Sequence, residues 1–400
     1  MRNLALAAAL AASVVAVGFP AHAQDKLPSR PRLAADQDSN DAQSYLLLAA
    51  DNLEKDARLA QRAYYWASRL DPSSAQAMYG RMISALLADD GLLKLRVTGA
   101  KSDKDRADLR VVDSLSQLAN VLDPFLHRNL DRRLVLAYYT TYFGARYSTA
   151  AIWDYVEDLS RKAGASALAW AAYTDGKFPA ALTFYQEALG KAKAKSVIFA
   201  MRGEIFWLIG NADSAVAQLQ LAVADQKKVE DKKLVILYQP KAVYQYQLGW
   251  IHERENRIDQ AREAYGHALV EDLSFYPAHV RLGALALEAG DTATAVAEFD
   301  LAAQAAPRDA KVKYQYAFVL TLTRKLAESA HQLQEAIALE PWYADPRLLL
   351  ARLYEATDMG DLAGKEYDAF LQRSPQSDLQ RAFAQERLTA LKGLASRPRQ

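Results

Sequence analysis

His252 and Glu253 open the string His-Glu-x-x-His, in which two histidines one helical turn apart bind zinc and the glutamate acts as base. The string is not completed, because Asn256 stands four residues after His252. The histidines His127, His267, His279 and His331 fall at unrelated spacings and read as surface or packing residues. A serine hydrolase of the common kind needs Gly-x-Ser-x-Gly, and a nucleotide-binding protein needs a glycine-rich phosphate loop; the sequence has neither. It also has no cysteine, hence no thiol nucleophile, no disulfide and no lipidated cysteine at a signal cleavage site. Acidic residues are abundant, but on helices they read as solvated faces and i,i+4 pairs. The expectation is a protein that is not an enzyme and has no catalytic, metal-binding or cofactor-binding residues.

The rest of the composition narrows the setting. Arg2 precedes an apolar run from Leu4 to Phe19, and Ala21-His22-Ala23 supplies a small-x-small cleavage pattern. This is a secretory signal, with cleavage expected after Ala23 and a periplasmic destination. No later stretch is long and apolar enough to span a bilayer, so no integral membrane segment is expected after cleavage. The full chain carries 49 basic and 48 acidic residues, a balance that argues against a nucleic-acid partner.

What organises the chain is a period. Blocks starting at Ala242, Tyr276, Ala310 and Ala344 follow one another at 34-residue intervals. Block position 8 is small in each (Gly249, Gly283, Ala317, Ala351), and so is position 20 (Ala261, Ala295, Ser329, Ala363). Position 24 is bulky (Tyr265, Phe299, Leu333, Tyr367), and the last three blocks reach Pro307, Pro341 and Pro375 at position 32. Blocks from Lys162 and Ser196 keep the register, and Asp41 starts a further match through Ala60, Tyr64, Ala67 and Pro72. A period of this length means two helices of about 14 residues that cannot bury their apolar faces alone and must stack on their neighbours.

The pattern resembles the tetratricopeptide repeat (TPR) family. That resemblance implies an all-α, right-handed superhelical solenoid of stacked helical hairpins, about nine of them here, with a C-terminal capping helix. The expected layout is a signal peptide over 1–23, a disordered leader over 24–40, divergent hairpins over 41–161 with an insertion at 89–106, and a regular array over 162–375 with an insertion at 230–241. A capping helix over 376–395, with Leu379, Ala382 and Phe383 on one side, and a tail over 396–400 complete it. In the family the first helices line a concave groove through positions 2, 5, 9, 12 and 13. Carried onto this chain, those positions give Trp170, Tyr173, Trp207, Tyr246, Trp250, Tyr314 and Phe318, bordered by charged residues that include Glu204, Glu253, Arg254, Arg352 and Glu355. Groove positions 5 and 9 lack the Lys and Asn with which some family members clamp a terminal carboxylate.

The resemblance implies a periplasmic scaffold or adaptor that holds a protein or peptide partner in that groove, within envelope assembly, secretion or polysaccharide export. The alternative is a glycan-binding module that stacks sugar rings on the groove tryptophans. The sequence leaves the oligomeric state open. Intact-mass measurement of the exported protein should find a chain beginning at Gln24; retention of residues 1–23 would overturn the signal reading.

Overall fold

The computed structural model describes residues 27–89, 91–92, 95, 102–125, 165–192, 195–230 and 239–395. The signal sequence, residues 126–161 of the expected divergent hairpins, half of the first insertion, most of the second and the tail lie outside them. All regular structure among the described residues is helical. The helices are α1 (Ala42–Asn52), α2 (Ala57–Leu70), α3 (Ala75–Ala88), α4 (Asp103–Leu122), α5 (Ala165–Thr174) and α6 (Phe178–Lys191). Then follow α7 (Ser196–Leu208), α8 (Ala212–Glu230), α9 (Gln239–Arg254), α10 (Ile258–Glu271), α11 (Tyr276–Glu288) and α12 (Thr292–Ala305). The last five are α13 (Ala310–Leu322), α14 (Leu326–Leu339), α15 (Asp345–Ala356), α16 (Gly360–Arg373) and α17 (Arg381–Ala395). Neighbours in sequence pack as hairpins, α5 with α6, α7 with α8, α9 with α10, α13 with α14 and α15 with α16.

Two compact units result. Unit 1 contains residues up to Ala49, Arg62–Ser74 and everything from Ala286; unit 2 contains Ala50–Gln61 and Ala75–Leu285.

The small positions are small because the helices nearly touch there. In unit 2, a β-carbon on Gly249 would come within 2.5 Å of the Tyr265 ring. Tyr265 and Ala261 are both fully buried and fill the hairpin they share with Gly249. In unit 1 the same approach is made by Ala317 and Ser329, both at 0% exposure. There Ser329 satisfies its buried hydroxyl by donating to the Ala317 carbonyl at 2.8 Å. An unpaired hydroxyl at such a place would cost about 1–3 kcal/mol.

The turn inside each hairpin repeats down to its hydrogen bonds. Block position 15 is left-handed in all six registered blocks: Gly176, Gly210, Asn256, Gly290, Arg324 and Asp358. The next residue's N–H bonds back across five residues, as in Arg257 to His252 at 2.7 Å and Lys325 to Leu320 at 2.9 Å. This closes the first helix by satisfying carbonyls that would otherwise be orphaned. Pro307, Pro341 and Pro375 follow the C-caps of α12, α14 and α16 directly, at Ala306, Glu340 and Ser374. Proline there stops the helix without losing a needed donor.

Four features differ from expectation. Helix α4 begins inside the first insertion, because Ser102 and Asp105 form a reciprocal capping box. At the second, α8 runs through Glu230 and α9 starts at Gln239, so the hairpin helices themselves are lengthened. On α17 the buried side is Ala384 and Leu388, while Leu379 precedes the helix and is 91% exposed. The helix starts at Arg381, which places Ala384, Leu388 and Leu391 on the inner face by their i,i+4,i+7 spacing.

The stretch expected to be a disordered leader is, from Leu27 on, packed in unit 1. Its Arg30 guanidinium lies 5.4, 5.0 and 5.4 Å from the rings of Tyr45, Trp66 and Trp342. Arg30 Nε also donates to the Tyr45 hydroxyl at 2.9 Å, and Trp66 Nε1 to the Pro28 carbonyl at 3.0 Å. Trp66 meets Trp342 edge-on at 5.2 Å, and Arg69 is ion-paired with Glu340. Asn40 donates to the Gln372 carbonyl at 2.8 Å, and Asp38 accepts from the Gln376 N–H at 2.6 Å. Charge and proline content suggested disorder; a cation enclosed by aromatic rings, at about 0.5–2 kcal/mol per contact, is what composition does not reveal.

Substitutions at two positions should separate these constraints. Gly249→Ala should cost about 1–3 kcal/mol by overpacking Tyr265. Arg324→Gly should stabilise by about 1 kcal/mol by relieving the left-handed turn. Urea unfolding read by circular dichroism checks both signs.

Candidate functional site

The first helices α5, α7, α9, α13 and α15 carry all eight candidate residues, and the structure sorts them by burial. In unit 2, Tyr173 is buried and donates its hydroxyl to Glu204 at 2.8 Å, with Trp170 packed on it at a ring separation of 5.1 Å. Tyr246 is 5% exposed and sits between Tyr265 at 5.5 Å and Phe275 at 5.4 Å. Tyr173 and Tyr246 are held in contacts between helices, so a ligand on the face would find little of them to touch, whereas Trp170 is only partly buried.

Trp207 and Trp250 form a different arrangement. Their rings meet edge-on at 5.6 Å, and the Arg254 guanidinium lies 4.4 Å from the Trp250 ring. Between them comes Phe125, just past the end of α4, with ring separations of 5.8 Å to Trp207 and 5.2 Å to Trp250. Phe125 is 1% exposed. An Asx turn sets its position: the Phe125 N–H donates to Asp123 Oδ1 at 2.9 Å, and the Pro124 carbonyl accepts from Gln247 Nε2 at 3.1 Å. The end of α4 therefore meets α9 through Pro124 and Phe125. The sequence gives Phe125 no role, because an apolar residue after Asp-Pro is too common a pattern to signal one.

In unit 1 the face is more open. Phe318 is 44% and Leu322 53% exposed on α13, at block positions 9 and 13. Helix α15 packs against α13 and carries the exposed Arg352, whose Nη2 donates to Gln380 Oε1 at 2.6 Å and whose guanidinium lies 4.5 Å from the Phe383 ring. Tyr314, one turn before Phe318, is half-buried edge-on against Tyr343 at 5.6 Å.

The carboxylates expected to border the groove are engaged inside the array. Glu253 accepts from the Tyr265 hydroxyl at 2.7 Å and from Arg281 Nε at 3.0 Å. Glu355 repeats the arrangement, accepting from the Tyr367 hydroxyl at 2.8 Å and from Arg387 Nε at 2.9 Å. The Arg387 hydrogen bond, against the opposing effect of burial, holds the Glu355 carboxyl below its ordinary range. In the His-Glu pair, Glu253 is thus tied to Tyr265 and Arg281, and His252 is buried with its pKa lowered, first by desolvation and then by Arg257. Among the described residues no three histidine or acidic side chains gather as a metal site.

Burial pushes the Tyr246 phenol up to about 12, with Arg281 opposing and Asp123 adding to the shift. Tyr314 is likewise pushed up to about 12, by burial and then Asp345, against Arg352.

Residues 242–269, which span α9 and most of α10, match the family model for the tetratricopeptide repeat. No curated protein sequence matches the chain. Among solved structures, yeast Tom70 is similar over 89% of this chain and 89% of its own, at 14% identity and a TM-score of 0.43. YrrB, described as a TPR protein with an unusual peptide-binding site, is 15% identical over 51% of this chain and 98% of its own, with a TM-score of 0.40. PilF of Pseudomonas aeruginosa is 19% identical over 50% of this chain and 89% of its own, with a TM-score of 0.38.

The raised phenols set a pH dependence. Both are neutral when buried, so their stabilising contribution is complete below the ordinary tyrosine value of 10 and is lost as pH rises toward about 12. Unfolding free energies measured from pH 8 to 12 should stay flat to about pH 10 and then fall, and Tyr246→Phe should lessen the fall.

Proposed function

For a chain whose residues 242–269 match the tetratricopeptide repeat model, we propose a non-catalytic periplasmic scaffold that holds a protein or peptide segment on the first-helix face of its repeats. The observation that carries this reading is the seat of Phe125. There the face takes an aromatic side chain from an apolar stretch of polypeptide and buries it to 1% exposure between two tryptophans. Large aromatic anchors of this kind dominate interface energetics. Unit 1 offers the same chemistry uncovered, with Phe318 and Leu322 exposed and Arg352 on the neighbouring helix.

Charge has a minor part in the recognition. Glu253 and Glu355 are spent on internal tyrosine and arginine partners, so what the face presents outward is apolar surface with an arginine beside it. Among the described residues no helix is long and apolar enough to cross a membrane. The secretory signal in the sequence supports a periplasmic setting, within envelope assembly, secretion or polysaccharide export. The stacking surfaces that glycan binding would use at Trp207 and Trp250 are covered by Phe125, which weighs against a sugar-binding groove at that place.

A photo-crosslinking amino acid at position 318, introduced in the source cell, should trap a discrete protein partner, and one at the exposed Leu221 on α8 should not. Arg352→Ala should weaken binding of that partner about tenfold, as for an interface anchor. Equal trapping from both positions, or none from position 318, would sink the proposal.

A further inference from the structure

Hairpin packing does not explain three features around Phe125. Its ring contacts Trp207 and Trp250, which occupy face positions 12 and 9 of successive blocks rather than the packing positions 8, 20 and 24. The polar groups there are only partly used. Gln247 donates from Nε2 to the Pro124 carbonyl, but its Oε1 is buried without a hydrogen-bond partner, and so is the Trp207 indole N–H. Finally, a cleft of about 450 Å³ remains between α4 and the α9–α11 side, lined by Leu118, Asn120, Val121, Tyr246, Gln247 and Phe275.

Two unpaired buried groups of opposite sense, a donor and an acceptor, thus stand beside one aromatic seat. Buried polar atoms are paired in the great majority of cases, and one acceptor with one donor suits the N–H and C=O of a polypeptide main chain. The end of α4 reaches neither group: its Asp123 N–H is spent on the Ala119 carbonyl, and its Pro124 carbonyl goes to Gln247 Nε2 rather than to Trp207 Nε1. The resident segment thus supplies the aromatic ring and one main-chain acceptor, the Pro124 carbonyl, but pairs neither Trp207 Nε1 nor Gln247 Oε1.

We infer that the α4 end with Pro124–Phe125 is a built-in substitute for a partner segment. That segment is an extended peptide with an aromatic residue that takes the Phe125 seat. Its carbonyl accepts from Trp207 Nε1 and its N–H donates to Gln247 Oε1. Binding at unit 2 is therefore an exchange, in which apparent affinity falls with the fraction of chains whose seat is filled from within. The inference rests on the peptide-binding reading above but concerns another unit, so crosslinking at position 318 and the test below can fail separately.

The probe is a fluorescein-labelled synthetic peptide with the sequence of residues 119–130, measured by anisotropy against the full mature chain. Phe125→Ala should bind it at least tenfold more tightly than wild type, and adding Trp250→Ala should abolish the gain. A peptide with alanine in place of its phenylalanine should not bind. Equal affinity for wild type and Phe125→Ala, or binding to neither, overturns the inference. Should Phe125→Ala unfold unit 2, hydrogen exchange in wild type decides. With saturating peptide, amides of Asn120–Asp123 should exchange faster and those of α9 more slowly. Peptide binding without faster exchange in α4 would also overturn it.

Discussion

The structure depends on how closely two helices can approach when one side chain at their crossing is nearly absent. Gly249 leaves less than a β-carbon's room against Tyr265, and Ala317 and Ser329 reproduce the approach with a buried hydroxyl bond. Because that crossing is filled by positions 8, 20 and 24, the bulky residues at 5, 9, 12 and 13 of the first helix are not needed to close the hairpin. They are available to hold neighbouring repeats or to face outward. The left-handed residue at position 15 belongs to the same constraint, since it turns the chain back at once and keeps the crossing point fixed from repeat to repeat.

That division of labour explains why the face is uneven. Where a first-helix aromatic finds a bulky neighbour in its own or the adjoining hairpin, it is drawn inward, as Tyr246 is by Tyr265 and Phe275, or Tyr173 by Trp170 and Phe178. Where it does not, it stays at the surface, as Phe318 does, or is covered from elsewhere in the chain, as Trp207 and Trp250 are by Phe125. The acidic residues follow the same logic. Glu253 and Glu355 lie one turn from position 8, within reach of the tyrosine at position 24, and become its hydrogen-bond acceptors.

The hairpins were legible in the sequence because their causes are local and periodic. Small residues at 8 and 20, a bulky one at 24 and proline at 32 each act within one block. The face was legible only as a set of positions. Whether Trp250 meets solvent or Phe125 depends on a residue 125 positions away that obeys no period. The placement of residues 27–40 was hidden for the same reason, since Arg30 owes its position to Trp342 as much as to its neighbours. Helix α4 is the exception that sequence could have supplied, for its Ser102-x-x-Asp105 cap is a local signal.

Stacked repeats ordinarily touch only their neighbours, and such chains can fold piecemeal from either end. Unit 1 does not have that freedom. Its hydrogen bonds from Asn40 and Asp38 reach across 332 and 338 residues of sequence. Residues 30–40 thus find their seat among repeats more than 300 residues later in the sequence. Until the repeats that carry Trp342 and Gln376 have folded, Arg30 and Trp66 have no complete surface to settle on. Settling of residues 30–40 is therefore tied to the prior folding of the repeats around Trp342 and Gln376, which makes this unit slower to finish than its local helices would suggest.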